Sequence, residues 1–530
     1  MLPYAIGMFG NILAGKAISF TSRSMRFEWL VLIVLLTAAF LPTLLVDIPG
    51  MADYPNHLAR MSVLMRADTP AAHPYYAVAW APYPNLAMDL VVPFIGRLTG
   101  IELASKFFYL FAQILVVSGA MAIGLAVQGR AMISAFVALI FLYAAPFAFG
   151  FVNFEFALGI ALWAIAVWIW LADRPLLLRL GAHSAFVMVL YISHLFALGL
   201  YGVVIGLHEL SRWSVYVMNW KRALSLAVGM ALPAIIVGVL ASYFGGKVGG
   251  SGTTWAMSAK MLGLFQVNGF SKYTSSAVTT VLAIVIYLMA KRRMLSVSRA
   301  GTWIGFGLLF LFVLMPFRLA DTAFVDGRVL LALVLILPAF VTVKFRDELQ
   351  RLAFLTLLAG VALINSSIAV RSQLSYRNEY RALITAFEDI APGSRILTGL
   401  DGPPENPPSD LMLYPMYNAA TLAVLTRDAL VPTLFTYPGK QPVRPRPEIA
   451  RLTVPQGGPI PMSELDAYAA GVTPPAEAAY AAHWTNDFDY LLVIDPSGKS
   501  PMRDHLDAIA TGERFTFYRI RKPDNTPSDL

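Results

Sequence analysis

The chain has 530 residues, of which 57% are apolar and 14% charged, with a formal net charge of +8 and no cysteine. An ordinary soluble chain carries about 25% charged residues, so a water-soluble globular protein of this length is excluded. Without cysteine there are no disulfides, no thiolate metal sites and no cysteine nucleophile.

Apolar runs follow one another from the N-terminus. The first, Phe27–Val46, lacks a small-residue cleavage site after it and reads as an uncleaved first span rather than a signal peptide. Further runs lie near 103–127, 131–149, 155–171, 180–193, 195–210, 223–244, 274–290, 300–316, 328–343 and 352–370. A spanning helix needs about 20 mostly apolar residues, so roughly eleven spans are expected by hydropathy. The pair around His194 reads either as one long tilted helix or as two short ones. Lys16, Arg23 and Arg26 precede the first span, and the clusters Arg174/Arg179, Arg212/Lys221/Arg222, Lys291–Arg293 and Lys344/Arg346/Arg351 recur at alternate turns. The bias of Lys and Arg in short loops sets orientation. It predicts a cytoplasmic N-terminus and, with an odd number of spans, a periplasmic C-terminus in a bacterial inner membrane.

From Ser372 onward the composition changes. Residues 372–530 hold 14 Lys+Arg and 19 Asp+Glu, a net of −5, which leaves the preceding 371 residues at +13. The basic balance therefore belongs to the apolar part. It forms no stripe interleaved with aromatics, and no nucleic-acid partner is expected. The C-terminal segment carries 20 of the 34 prolines, which mark loops. Between them the pattern predicts helices over Asn378–Ile390, Leu411–Leu425 and Arg503–Ala510, and strands over Arg395–Thr398, Phe488–Ile494 and Arg514–Arg521. The expectation is a mainly α transmembrane bundle, 1–371, followed by an extracytoplasmic soluble α/β domain, 372–530.

The informative residues are polar ones in apolar surroundings. After the first span comes Asp47-Ile-Pro-Gly-Met-Ala-Asp53-Tyr-Pro-Asn56-His57-Leu-Ala-Arg60. A helix starting near Pro55 puts Asn56, His57 and Arg60 roughly on one side and Asp53 at the N-cap, where a carboxylate meets free N–H groups. The plain reading is a cap followed by a solvated face. The functional reading makes Asp53 a general base at the membrane surface, with Asp47 as runner-up. The Asp53–His57 spacing admits a divalent metal, but no third ligand is in view. Next, Asn153-Phe-Glu155 opens a later span. An ionisable residue at membrane depth marks a functional site, while a helix-start carboxylate is the plain alternative. His194, a lone histidine among apolar residues, reads either as such a site or as a satisfied structural group. Finally, Arg318-Leu-Ala-Asp321-Thr-Ala-Phe-Val-Asp326-Gly-Arg328 is dense in charge. Its arginines suit phosphate oxygens, or else pair internally with Asp321 or Asp326. Lys247, Lys260 and Lys272 lie in or after a Gly-rich segment that is not a P-loop.

These segments give the chain a resemblance to the GT-C superfamily of polytopic glycosyltransferases, which includes protein mannosyltransferases, oligosaccharyltransferases and the aminoarabinose transferases of lipid A. The resemblance rests on the first outer loop with ADYPNHLAR, on NFEFALG and FVDGR, and on a C-terminal domain with FDYLLVI. It implies a sugar donor on a polyprenyl phosphate and inverting transfer to a glycan, lipid or protein acceptor. It also implies Asp53 as base and Arg328 or Arg318 on the leaving phosphate. The chain departs from the commonest pattern in having no adjacent Asp-Glu or Asp-x-Asp pair in this loop, which puts a metal requirement in doubt. Arg60, Asn153, Glu155, His194 and Asp326 are the remaining candidate contacts. Two other classes compete: a lipid or small-solute transporter using Glu155, His194 and the arginines as a path, and a membrane scaffold whose C-terminal domain binds a periplasmic partner.

Overall fold

The computed structural model describes residues 23–216, 219–244, 253–269, 271–319, 322–402, 414–496 and 505–522. Lys247, Asp321 and the proline cluster at 403–408 lie outside them. The chain separates into two compact units. One comprises Met1–Leu44, Pro84–Ala87 and Phe107–Arg371, the other Leu45–Tyr83, Met88–Lys106 and Ser372–Leu530.

The helices run in chain order as α1 (Arg23–Leu44), α2 (Tyr54–Arg66), α3 (Ala87–Thr99), α4 (Ile101–Gln128), α5 (Met132–Ile140) and α6 (Val152–Trp170). They continue as α7 (Leu176–Ser193), α8 (Leu195–Ser211), α9 (Trp220–Phe244), α10 (Met257–Gln266), α11 (Lys272–Lys291) and α12 (Arg299–Leu314). The last long ones are α13 (Val325–Ile336) and α14 (Glu348–Glu388). Among the described residues seven helices are long and apolar enough to cross a membrane: α1, α4, α6, α7, α9, α11 and α14. Two shorter apolar helices are α8 and α12. At 1.5 Å per residue, a 17-residue helix such as α8 reaches about 25 Å, somewhat short of a hydrocarbon core. Run 131–149 does not form one helix: it holds α5 and a four-residue turn, Ala145–Ala148. The run around His194 resolves into two helices, because His194 is extended (φ −169°, ψ 116°) and ends α7 while starting α8.

The membrane unit is packed through small residues, as bundles without a hydrophobic drive between helices are. A Cβ on Gly159 of α6 would stand 2.5 Å from Leu115 Cβ, and one on Gly119 of α4 would stand 2.7 Å from Leu162 Cβ. Both are closer than real contacts allow, so glycine is what lets α4 and α6 touch. Arg351 reaches from α14 to Glu28 of α1 and to Glu348.

In the second unit, strands β4 (Ile396–Leu400), β6 (Ile460–Pro461), β7 (Tyr490–Ile494), β8 (Leu506–Thr511) and β9 (Phe515–Ile520) form a sheet in the order β6-β4-β7-β9-β8. β7 pairs parallel with β4 and antiparallel with β9. It is buried at every position, which is why FDYLLVI is a continuous apolar run rather than an alternating one. A separate ribbon pairs β1 (Tyr76–Val78) with β5 (Val443–Pro445).

Three expected elements differ. Asn378–Ile390 is no separate helix but the end of the 41-residue α14, because Ser372–Arg377 contains neither Gly nor Pro to stop it. Leu411–Leu425 breaks into a 3-10 turn, Pro415–Thr421, and a short helix, α15 (Leu422–Arg427), with a non-helical backbone at Asn418. The described part of Arg503–Ala510 is strand β8, where Leu506 pairs with Ile520 and Thr511 with Thr516. Cross-strand pairing overrides local helical preference there.

One buried histidine gives this unit a pH dependence. Burial lowers His73 to about 4, with Asp428 opposing the shift and Arg66 reinforcing it. The folded chain therefore binds fewer protons than the unfolded chain. Its contribution is complete above the unfolded value near 6.5 and is lost as pH falls toward 4, about 3 kcal/mol in all. The unfolding midpoint in detergent is expected to drop across that window, and His73→Gln to flatten the drop. An unchanged slope in His73→Gln would rule this out.

Candidate functional site

The candidate residues fall into two groups, one in each unit. In the second unit Asp53 occupies the N-cap position of α2, yet its side chain makes no capping hydrogen bond. Its Oδ1 instead lies 3.4 Å from Asn418 Nδ2, which also donates to Ala52 O at 2.8 Å. Asn56 is pinned from both ends. Its Nδ2 donates to Thr433 O at 2.8 Å and to Asn418 Oδ1 at 3.2 Å, and its Oδ1 accepts from Phe435 N at 2.8 Å. The break at Asn418 thus has a use: it turns that amide toward the start of α2. His57 is buried edge-on to Phe435, ring centroids 5.6 Å apart, and its Nδ1 has no hydrogen-bond partner. Burial, with the Arg60 guanidinium nearby, holds the His57 imidazole well below its ordinary value, so it stays neutral.

Two candidates in this group are already engaged. Arg60 donates through Nε and Nη2 to both oxygens of Asp89, at 3.0 and 2.8 Å, with both side chains inaccessible. Two of its nitrogens are thus taken and tie α2 to α3, while Nη1 is buried without a hydrogen-bond partner. Asp47 lies exposed on Arg381, accepting at 2.9 and 2.7 Å, whereas Asp53 is half-buried. Asp89, Arg381 and Asn418 were not legible as partners, being 29 to 365 residues away in sequence.

In the membrane unit the centre is Arg328, in the first turn of α13. Its Cζ lies 4.5 Å from the Phe151 ring centroid, 5.0 Å from that of Phe154 and 5.8 Å from that of Phe196. Nη1 is 3.3 Å from His194 Nε2, and Nη2 donates to Ala323 O at 3.4 Å. The α7–α8 break is what places His194 there. His194 Nδ1 accepts from Phe196 N at 3.2 Å, capping α8. Asn153 donates to Asn85 O at 3.1 Å. Glu155, in the first turn of α6, is fully buried, and neither carboxylate oxygen has a hydrogen-bond partner. It is not a solvent-facing helix-start carboxylate. The internal pairing of Asp326 with an arginine is overturned: Asp326 pairs with Lys260 Nζ at 3.1 Å, and that ammonium also donates to Phe312 O at 2.8 Å. Lys260 is buried and donates to three protein oxygens, those of Phe312, Met315 and Asp326. Arg318 is half-buried and exchanges backbone hydrogen bonds with Thr254. Among the described residues no three His, Asp or Glu side chains come together to hold a metal. An apolar cavity of about 650 Å³ lies along α7, α8 and α9, lined by His183, Tyr201, Gly202, Gly206, Ala227 and Ala234 among others.

No protein-family model matches the chain, and no curated protein does. Solved structures do. The chain is similar to ArnT. The crystal structure of ArnT from Cupriavidus metallidurans in the apo state gives a TM-score of 0.48 at 13% identity, covering 94% of this chain and 98% of that one. The same protein bound to undecaprenyl phosphate gives 0.47 at 12% identity, covering 93% and 98%.

Proposed function

We propose that the protein is a membrane glycosyltransferase that moves a sugar from a polyprenyl-phosphate donor to an extracytoplasmic acceptor, with inversion and with Asp53 as base. The observation that carries this reading is the engagement of Asp53. A purely structural N-cap spends its carboxylate on the helix N–H groups. Asp53 does not, and is steered by Asn418 instead. In the proposed step the acceptor hydroxyl oxygen forms a bond to the anomeric carbon while the bond from that carbon to the phosphate oxygen breaks. The hydroxyl proton passes to Asp53, and the electron pair leaves with the lipid phosphate. As a separate proposal for the membrane unit, Arg328 is a contact for a lipid phosphate, whose oxygens suit a guanidinium fork. In this reading the N-terminus lies in the cytoplasm and the C-terminal domain, 372–530, in the periplasm, as the Lys and Arg bias of the short loops implies.

A transport path is the second reading, favoured by the buried and unpartnered Glu155 oxygens. Purified protein supplied with polyprenyl-phosphate sugars separates the two. Sugar transfer, or slow donor hydrolysis without acceptor, is expected. Movement of intact lipid across a bilayer without sugar release would overturn the transferase.

A further inference from the structure

α3 has two unlike faces. One packs on α2: Met88 and Val92 are inaccessible, Asp89 is spent on Arg60, and a Cβ on Gly96 would stand 3.3 Å from Met65 Sδ. The other carries Leu90, Val91, Phe94 and Leu98, all exposed, with Phe94 at 71% and Leu98 at 83%. The spacing i, i+1, i+4, i+8 makes one continuous stripe. Only Arg97, in the last turn, puts a charge on the exposed side. A water-facing helix of this length would carry several, and an amphipathic helix with an apolar face and a terminal cation is suited to lie in a bilayer interface. Chain continuity says the same. α3 ends at Thr99, Gly100 turns the chain with φ +87°, and α4, long and apolar enough to span, starts at Ile101. α3 is therefore separated from a spanning helix by a single residue.

We infer that the Leu90–Leu98 face of α3 seats in the bilayer interface and that the buried Arg60–Asp89 pair passes that seat to α2 and so to Asp53. The coupling is rigid for a physical reason. A doubly hydrogen-bonded ion pair out of water resists sliding, since parting the charges leaves each unpaired in a medium that solvates it poorly. Asp53 is the residue immediately before α2, so a shift of that helix moves the carboxylate with it. The seat stands independently of the proposed activity; the coupling to Asp53 rests on it. Arg60 and Asp89 are positioning residues here and touch no reacting atom.

The absence of native cysteine allows single labels. Spin labels at Phe94→Cys and Leu98→Cys in phospholipid nanodiscs are expected to be reached by dissolved oxygen in preference to a water-soluble nickel chelate. A label at Val472→Cys, exposed in the same unit, should show the opposite preference. Nickel access at positions 94 and 98 equal to that at 472 overturns the seat, whether water or another protein covers the face. For the coupling, the double variant Phe94→Ser/Leu98→Ser is expected to lower kcat about tenfold to a hundredfold, the cost of a small misplacement, with donor KM unchanged. Phe94→Leu, which keeps the face apolar, should retain wild-type kcat. An unchanged kcat in the double variant overturns the coupling. A wild-type protein with no transfer at all would overturn the transferase reading, and the label measurement would still decide the seat.

Discussion

Asp53→Asn is expected to lower transfer by roughly 10²–10⁴-fold, the usual worth of a positioned general base, while donor binding stays within a few-fold. The change keeps size and shape. An asparagine oxygen still accepts from Asn418 Nδ2 where the carboxylate does at 3.4 Å, and no helix cap is lost because none is made. What disappears is the capacity to take a proton from the acceptor hydroxyl. A fall in kcat with KM for the lipid donor held is therefore the signature, read in a discontinuous assay of glycosylated acceptor. Asp47→Asn is the internal control. Asp47 is exposed and its partner Arg381 is half-exposed, and such surface pairs contribute little, so Asp47→Asn should turn over at close to the wild-type rate. Wild-type turnover in Asp53→Asn, or a collapse in Asp47→Asn alone, would move the base elsewhere.

The two groups of residues differ in how far the sequence disclosed them. The apolar runs, the change of composition at Ser372 and the FDYLLVI strand are properties of local windows, and local windows are what a sequence displays. α14 shows the limit of that view. The composition changes inside it, but the helix does not, since backbone geometry responds to Gly and Pro rather than to net charge. β8 shows the opposite limit, where an isolated window favours helix and a partner strand decides otherwise. For the polar residues, position was legible and partnership was not. Arg60, Asp47 and Asp326 looked alike as charges near a membrane. Their meaning comes from Asp89, Arg381 and Lys260, which no spacing rule connects to them. The aromatic surround of Arg328 is half visible in sequence, since Phe151 and Phe154 sit three residues apart on either side of Asn153, whereas Phe196 comes in only through the break at His194.

Arg328→Gln is expected to cost about 10²–10³-fold in kcat, comparable to removing one preorganised donor from a developing oxyanion, and to raise KM for the lipid donor. The argument begins with the rings. Phe151, Phe154 and Phe196 present apolar surroundings with negative faces to the guanidinium, each such contact contributing about 0.5–2 kcal/mol. These rings pack against the cation and help to hold it in place. His194 fixes its orientation through Nη1. A cation held in that way acts on a lipid phosphate that gains charge as the sugar leaves. Glutamine removes the charge and, with a shorter side chain, some packing as well, so the comparison with a lysine that keeps the charge is what isolates the charge. Arg328→Lys keeps the charge but gives up the planar fork, and it should fall between wild type and Arg328→Gln. A structural role would instead lower the unfolding midpoint of both variants and leave kcat per folded molecule intact. The ordering wild type, Lys, Gln in kcat, at matched folded fractions, is what distinguishes a phosphate-binding guanidinium from a buried structural cation.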